Sequence, residues 1–454
     1  MIENNIVLLE SGVLLNDFDN KVITIVENAI RKLVPKEIVV RIAGGWVRDK
    51  LFGLNSDDID IAVDGISINE FAEVIRDVSE YKGAKVVVLQ ENHEQCKHLS
   101  TARVSIFPGF WLDICNLRPE SFRESSMELG TPISDSHRRD LTINALFFNL
   151  NTKKIEDYVG GIHDLINGII RTPIPAIEDF TDDPLRIIRA FRFQAKLGFE
   201  IDGSVIESGR VILPLLSEKI PADRIYQEVS KIFRANHFIK CVHSMRDSGL
   251  FSFLFCKGVE EDLIVNKMIE SIELLEPRII GEPLSNRELL CLSSMFHPLI
   301  QKPDINDPQK SGKISFIKFH LSRQLKYSLD IANEVELISR ALYSFKDIPL
   351  ERLPVGKFIR SSGKNWILCK YLINIPEDSK FFESILVPYI MEQNLECVLT
   401  MKPLLKGDEL AKIKNIPIGK ELKYHMELMF EWQVNNPAAR AEDYKEFLRA
   451  SLFQ

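Results

Sequence analysis

The 454-residue chain is predicted to fold as a small α/β head followed by an all-helical remainder. Between residues 37 and 150, short runs rich in β-branched residues alternate with helical patterns and are separated by glycine and proline. Beyond residue 179 the strand patterns thin out, and long stretches with apolar residues at helical spacing dominate. These observations predict a head with a small mixed sheet and helices, joined to a long helical region.

Each element of the head follows from its own pattern. Alternating or continuous apolar runs predict strands at residues 38–42, 58–63, 84–89, 102–107 and 111–116. Pro108 and Gly109 favour a hairpin turn between the last two strands. Amphipathic spacing predicts helices in the head at residues 14–33, 46–54 and 68–81. In the remainder, the same spacing predicts helices at residues 183–197, 204–216, 222–234, 323–342 and 421–434, and a polar loop at 304–312.

Composition places the chain among ordinary globular proteins, with 45% hydrophobic and 27% charged residues. No apolar run reaches the roughly 18 residues that a membrane span needs, so no membrane association is expected. No cation precedes Lys21, which argues against a signal or transit peptide and favours the cytoplasm, with the nucleus as a second compartment, over a mitochondrial form. The seven cysteines form no Cys-x-x-Cys pair, which predicts free thiols. The net charge of −8 leaves nucleic-acid binding open, because binding depends on local basic patches.

The most informative segment combines a double glycine with two closely spaced acids. Gly44 and Gly45 are followed by Arg48 and then by Asp58 and Asp60. Glycines let the backbone approach a triphosphate closely, and arginine can pair with phosphate oxygens. Residues two apart on a strand share a face, so the two carboxylates repel each other unless cations lie between them. Mg²⁺ prefers such oxygen ligands, which predicts a two-metal nucleotidyl-transfer site.

The order and spacing of these residues matter more than either motif alone. An isolated Asp-x-Asp is typical of a solvated strand edge, and an isolated Gly-Gly is typical of a turn. Together, with a helical pattern between them, they resemble the nucleotide-binding signature of the polymerase β-like nucleotidyltransferase superfamily. The chain has no Gly-x-x-x-x-Gly-Lys-Ser/Thr motif, so a P-loop NTPase is not supported.

Further polar residues stand out in two downstream segments. Asp113 interrupts an otherwise apolar strand, where it is either a third carboxylate of the metal site or an acid that faces solvent. Arg139, Asp140 and Asn144 lie in a segment that is expected to start a helix and to grip ribose and phosphate.

A second predicted helix carries a row of basic residues after an acid. Asp183 is followed by Arg186, Arg189 and Arg192, which recur every three residues and therefore share one helix face. Like charges stacked in this way need anions against them. The anion is either a bound nucleotide or a set of local acids.

The motifs, in order, closely resemble those of the class II tRNA nucleotidyltransferases, the CCA-adding enzymes. They are Gly-Gly-x-Val-Arg-Asp at 44–49, Asp-x-Asp at 58–60, Arg-Arg-Asp-x-x-x-Asn-Ala at 138–145, Asp-Tyr-x-Gly-Gly-x-x-Asp-Leu at 157–165 and Asp-Asp-x-x-Arg at 182–186. Residues 92–98 and 183–186 look like the eukaryotic branch. The resemblance is specific over residues 40–230 and weak over 235–395.

The resemblance implies roles for individual residues. The first two motifs imply a site for the triphosphate and for Mg²⁺, with Asp58 and Asp60 as metal ligands. Arg139, Asp140 and Asn144 would contact the ribose. Asp183 and Arg186 would pair with the incoming base, because Asp accepts from the exocyclic amine that C and A share and Arg donates to a ring acceptor. The further nucleotide-binding residues would be Gly44, Gly45, Arg48, Arg189 and Arg192.

The resemblance also implies a division of the chain and a function. Residues 1–150 would form the catalytic head, 151–255 a helical neck that recognises the base, 256–395 a helical body and 396–454 a helical tail that binds tRNA. The implied activity is template-independent addition of C, C and A from CTP and ATP to tRNA 3′ ends, without an obligatory protein partner. Alternatives are an enzyme that adds only CC or only A, a relative of the poly(A) polymerases, and a non-catalytic tRNA-binding or scaffold protein. Residues 119–136 resemble the loop that A addition needs, which favours full or A-only activity over CC-only activity.

Overall fold

The computed structural model describes residues 15–56, 58–89, 101–119, 130–257, 262–309, 312–345 and 348–450. The chain divides into two compact units, residues 1–253 and 254–454. The first unit contains the predicted α/β head together with the helices that follow it. The finer division at residues 150 and 395 stays a prediction.

A seven-stranded mixed sheet forms the centre of the first unit. Its strands are β1 (Val39–Ala43), β2 (Asp60–Asp64), β3 (Val86–Leu89), β4 (Thr101–Phe107), β5 (Phe110–Asn116), β6 (Phe147–Asn149) and β7 (Lys154–Glu156). Their order across the sheet is β3-β4-β5-β2-β1-β6-β7. Strand β2 runs parallel to β5 and antiparallel to β1. The mixed α/β head that the sequence predicts is therefore confirmed.

Helices of the head cover the sheet. They are α1 (Asp17–Lys32), α2 (Gly45–Leu51), α3 (Ile68–Val78) and α4 (Pro132–His137). The apolar face of α3 buries Phe71 and Ile75 completely, and the strands contribute Ile61, Val104 and Ile114 to the buried residues. This core holds the strand ends that carry the acidic residues in fixed positions.

Helices and two short strands complete the first unit. The helices after the sheet are α5 (Gly161–Asn167), α6 (Ala176–Asp182), α7 (Leu185–Leu197), α8 (Gly203–Lys219), α9 (Ala222–Arg234), α10 (Phe238–Asp247) and α11 (Leu250–Phe255). Strands β8 (Ile169–Ile170) and β9 (Glu200–Ile201) form a small parallel pair. Helix α7 is flanked by Pro184 as its N-cap and by Gly198, with a positive φ of 75°, as its C-cap.

The second unit is almost entirely helical. Its α-helices cover Asp262–Leu275, Leu284–Phe296, Phe316–Lys318, Leu329–Ser344, Arg352–Ser362, Pro376–Phe381, Val387–Glu392, Gly407–Lys414, Lys420–Asn435 and Ala441–Ala450. Short segments of 3₁₀ or π-helix cover Glu276–Arg278, His297–Leu299, Phe319–Gln324, Trp366–Tyr371, Phe382–Leu386 and Leu395–Leu399. No helix within the described ranges has the length and apolar character to cross a membrane.

Some local predictions are wrong. The segment after Arg138 forms only a single 3₁₀ turn, Thr142–Asn144, and not a longer helix. The N–H of Thr142 donates to the carbonyl of Arg171, and the carbonyl of Arg138 accepts from the side chain of Arg186, so neither group is left for a helical hydrogen bond. The predicted loop 304–312 begins a short hairpin, in which Ile305–Asn306 pairs with Lys313–Ile314. The helix expected from residue 323 begins only at Leu329, where Ser328 caps its first turn. The six cysteines of the described residues are free, as predicted, and Cys96 lies outside them.

Candidate active site

Three carboxylates meet where β2 and β5 run side by side. Asp60 begins β2, and the parallel register places it directly opposite Asp113 of β5. Asp58 lies two residues before Asp60, just outside the strand. Oxygen atoms of the three side chains lie within 4.8 Å of one another. The structure therefore brings Asp113 to the predicted pair, although the strand pattern left its direction open.

The cluster is electrostatically unbalanced. Burial, together with the neighbouring charges of Asp58 and Asp113, raises the pKa of Asp60 to about 6. Asp113 accepts a hydrogen bond from Nε of Arg103 on the adjacent strand. Among the described residues no ion pair within 4.0 Å reaches Asp58 or Asp60. Three hard oxygen ligands with excess negative charge fit a divalent cation.

The double glycine between β1 and α2 allows the side chain of Arg139 to lie close against the backbone. Gly44 has a φ of +72°, and a Cβ atom there would lie 2.7 Å from Nη1 of Arg139. Its N–H donates to the carbonyl of Leu146 at 2.8 Å. Any other residue at Gly44 would displace the arginine that faces the carboxylate cluster.

Arg48 is held from inside the protein. Its side chain is only 4% exposed and forms an ion pair with Asp49 at 2.7 Å. A second N–H group donates to the side-chain oxygen of Asn144, and the guanidinium lies 4.9 Å from the ring centre of Phe193. Asn144 in turn donates to Asp140 at 3.0 Å. The two predicted nucleotide-binding motifs are thus joined by hydrogen bonds.

Asp140 links the same network to the helical part of the unit. It accepts from Nε of Arg189 at 2.7 Å. Burial alone would raise the pKa of Asp140, but Arg189 and Asn144 hold it well below its usual range. Arg139 donates to Asp135 at 2.9 Å and to the backbone carbonyl of Asn144 at 3.3 Å, and it lies 5.0 Å from the ring centre of Phe147.

The arginines of α7 all have carboxylate partners within the protein. Arg186 pairs with Asp179, and Arg189 pairs with Asp140 at 2.6 Å. Arg192 pairs with Glu228 of α9 at 2.5 Å. Of the two explanations left open by the sequence, local acids therefore account for the charge of this helix face. The arginines still line the cavity described below.

Asp183 and Arg186 are neighbours but not ion-pair partners. Asp183 precedes the helix in an extended conformation, and its side chain accepts from the N–H of Leu185 at 3.1 Å. The nearest cation to its other oxygen is Arg224, at 3.8 Å. The prediction that both lie on one helix is wrong for Asp183, because the residue before a proline is restricted to an extended conformation and the helix begins only after Pro184.

These groups line one cavity of about 890 Å³ within the first unit. Nine basic and six acidic side chains surround it. It contains every predicted site residue except Asp113, which lies beside it in the carboxylate cluster. This volume lies in the range of sites that bind nucleotide-sized ligands.

Sequence reasoning missed several cations of the cavity wall, namely Arg118, Lys196, Arg224 and Lys231. Lys196 follows Arg192 by four residues on α7, so helical spacing could have found it. Arg224 and Lys231 are seven apart on α9 and share a face in the same way. Arg118 lies in an irregular segment, where no periodicity marks it. Residues 92–98 and 120–129, which support the eukaryotic branch and the loop prediction, lie outside the described residues.

The sequence matches two family models and several known proteins. Residues 40–171 match the model described as the poly A polymerase head domain, and residues 198–263 match a probable RNA- and SrmB-binding site of polymerase A. The tRNA nucleotidyltransferase cca1 of Schizosaccharomyces pombe is 33% identical, over 95% of each chain. The chain belongs to the tRNA nucleotidyltransferase family.

Another member of the family and a solved structure are also similar to this chain. The mitochondrial CCA tRNA nucleotidyltransferase of Saccharomyces cerevisiae is 28% identical over 92% of this chain and 89% of its own. The fold matches that of the Thermotoga maritima CCA-adding enzyme complexed with tRNA, with a TM-score of 0.61, 23% identity and 96% coverage of both chains. As a tRNA nucleotidyltransferase family member, the chain is an enzyme, which excludes the non-catalytic alternative.

Proposed function

We propose that this protein adds C, C and A, from CTP and ATP, to the 3′ end of tRNA without a nucleic-acid template. One observation carries the proposal. Asp58 and Asp60 of the carboxylate cluster and the pair Asp183 and Arg186 line one cavity, which a nucleotide could occupy in contact with both. A metal-binding group and a base-reading group in one site are what template-independent nucleotidyl transfer requires.

Mg²⁺ is the proposed cofactor, held by Asp58 and Asp60 with Asp113 as a further ligand. The donor set supports this assignment, because all three groups are carboxylates. Burial and the charges of Asp58 and Asp113 raise the pKa of Asp60, and a bound cation would lower it again by favouring the ionised form. When bound, the metal supplies charge stabilisation at the phosphate and favours ionisation of the tRNA 3′-hydroxyl.

The protein's own side chains bind and orient the nucleotide. Gly44 and Gly45 leave room for the triphosphate beside Arg48 and Arg139. Asp140 and Asn144, which fix each other by a hydrogen bond, are proposed to bind the ribose.

Base choice is assigned to Asp183 and Arg186. A carboxylate that accepts from an exocyclic amine and a guanidinium that donates to a ring nitrogen suit both C and A. G and U would place acceptor against acceptor and donor against donor. Such unpaired polar groups support strong rejection of the wrong nucleotides.

The tRNA is proposed to bind through its phosphate backbone, along the helical neck and tail. Candidate contacts in the tail are Lys402, Lys406, Lys412, Lys414, Lys420 and Lys423, and all of them except the half-buried Lys414 are exposed.

The proposal also covers the extent of nucleotide addition and the location of the protein in the cell. Full CCA addition is preferred over CC-only or A-only activity, because residues 119–136 resemble the loop that A addition needs. The end of this segment is helical in the structure, since helix α4 (Pro132–His137) begins within it, so the loop proposal applies to the residues before Pro132. The cytoplasm, with the nucleus as a second compartment, is the proposed location, although the yeast relative named above is mitochondrial. Fractionation of cells that express the tagged chain would test the location.

The activity is tested directly with three tRNA substrates, ending at the discriminator base, at C and at CC. Each is incubated with the protein, Mg²⁺ and one labelled nucleotide at a time. We expect C addition to the first two and A addition to the third. Failure on the third substrate alone would identify a CC-adding enzyme, and failure on all three would overturn the proposal.

A further inference from the structure

We propose that Asp179 is a positioning residue that sets nucleotide specificity by fixing the orientation of the Arg186 guanidinium. The inference rests on the proposed function, because it assumes that Arg186 reads the incoming base. It assigns a role to a residue outside the motifs, on a different helix from Arg186. Asp179 does not line the cavity itself and so acts only through Arg186.

Two contacts hold the guanidinium, and neither comes from its own helix. Nη1 donates to Oδ1 of Asp179 on α6. Nη2 donates to the backbone carbonyl of Arg138 at 2.8 Å. A guanidinium is planar and carries five N–H donors, so two fixed nitrogens determine where the remaining donors point. Arg186 is thereby held at the cavity wall with N–H groups left for a ligand.

Asp179 is poorly placed for a merely stabilising role. Its side chain is completely buried, and its second oxygen, Oδ2, is buried without a hydrogen-bond partner. Burial raises the pKa of Asp179 to about 7, although Arg186 acts in the opposite direction. Replacing both partners of a buried ion pair by apolar residues is often neutral or stabilising, so such a pair is weak evidence for stability, although removal of one partner leaves the other charge unpaired. Its contribution here is the fixed direction of one guanidinium.

The fixed direction matters because the wrong bases differ by the exchange of donors and acceptors. C and A offer an amine and a ring acceptor side by side, whereas U and G offer a carbonyl and a ring N–H. A mobile Arg186 could swing to the carbonyl of U or G and restore a hydrogen bond. An anchored Arg186 cannot follow, so the mismatch stays unsatisfied and discrimination is high.

The test is single-turnover addition to tRNAs that end in C and in CC, using the full chain and each of the four nucleotides. The variants are Asp179→Ala and Asp179→Leu, which remove the acceptor, and Asp179→Asn, which keeps it. Arg186→Ala and the double variant with Asp179→Ala show whether the two residues act together. Glu156→Gln is the matched control, because Glu156 also pairs with an arginine, Arg41, but lies outside the cavity. Melting temperatures identify variants that fold.

We expect Asp179→Ala and Asp179→Leu to lower the preference for C over U and for A over G by about tenfold or more. Asp179→Asn should retain most of the preference, and the double variant should match Arg186→Ala. If Asp179→Ala does not fold, the Leu variant decides. Unchanged preference in a folded Ala or Leu variant, with preference lost in Arg186→Ala, would overturn the positioning role. A wild-type protein that adds no nucleotide would instead refute the proposed function.

Discussion

The two ends of the cavity are built on opposite electrostatic principles. At the sheet end, Asp58 and Asp60 have no ion-pair partner within 4.0 Å in the part of the chain that the structure describes, and the pKa of Asp60 is raised to about 6. At the helix end, each of the three arginines of α7 has its own carboxylate in the protein. The sheet end therefore carries an excess of negative charge, whereas the charges of the helix end are neutralised by ion pairs within the protein.

This difference separates two tasks of a nucleotidyltransferase. Unbalanced carboxylates attract a cation and stabilise little until one binds. Internally paired arginines are rigid and present fixed donors to a ligand. The sheet end should therefore set how fast any nucleotide is added, and the helix end should set which nucleotide is added.

The largest effect is expected from the sheet end. Asp60→Asn should lower the rate of every addition step by about 10³-fold or more, because several kcal/mol of charge stabilisation are lost. tRNA binding, measured by filter retention, should stay near the wild-type value. Asp64→Asn, at the far end of the same strand, is the control and should keep its activity. Full activity of Asp60→Asn with Mg²⁺ would remove the carboxylate cluster from the catalytic site.

The next largest effect concerns the helix end. Arg186→Ala should weaken discrimination against UTP and GTP by about 1–3 kcal/mol per lost polar contact. Competition between labelled nucleotides on one tRNA measures the preference directly. A variant that is uniformly slower with an unchanged preference would contradict the separation of the two ends.

The two ends should also respond oppositely in stability. The raised pKa of Asp60 means that its ionised form is disfavoured in the folded protein, so stability falls as pH rises from about 4 to about 6. Asp60→Asn should therefore stabilise the metal-free protein by about 2–3 kcal/mol at pH 7, and less at pH 5.

Ionisation of Asp140 affects stability in the opposite direction to ionisation of Asp60, because Arg189 and Asn144 lower the pKa of Asp140. Its contribution is present above the unfolded-state pKa and is lost as pH falls through that value and below it. Asp140→Asn should therefore destabilise the protein by about 1–3 kcal/mol at pH 7. Denaturant titration in the presence of EDTA at pH 5 and pH 7 measures the free energy of unfolding of Asp60→Asn and Asp140→Asn. If both variants were stabilised, or both destabilised, the comparison would be contradicted.

The smallest effect is expected outside the cavity. Replacing one exposed tail lysine, such as Lys412→Ala, should weaken tRNA binding slightly and lower the slope of log affinity against log salt by about one. Nucleotide preference should not change. An affinity for tRNA that is flat between low and high salt would remove the electrostatic account of tRNA binding.

The sequence predicts the sheet end better than the helix end, for a physical reason. Glycines, strand acids and their order are local patterns, so the turn at Gly44 and the pairing of Asp58 with Asp60 were predicted, although Asp58 precedes the strand instead of lying on it. The position of Asp113 needed the parallel pairing of β2 with β5, which a single strand does not encode. Strands β6 and β7 were missed because three residues are too short to show alternation.

The helix end depends on contacts between separate elements. Helical spacing correctly groups Arg186, Arg189 and Arg192, but their partners come from three other places in the chain. Nothing in the local sequence links Asp179 to Arg186, because one residue lies on α6 and the other on α7. Asp183 and Arg186 look like a pair at helical spacing, yet Pro184 places the acid outside the helix.

The central claim is that the sheet end sets the rate and the helix end sets the choice of nucleotide. One competition experiment tests it, with a tRNA that ends in CC, all four labelled nucleotides, and the wild type beside Asp60→Asn and Arg186→Ala. The wild type should add A, Asp60→Asn should add A far more slowly with the same preference, and Arg186→Ala should add a mixture. An Asp60→Asn variant with altered preference, or an Arg186→Ala variant that is slow but still selects A, would contradict the account.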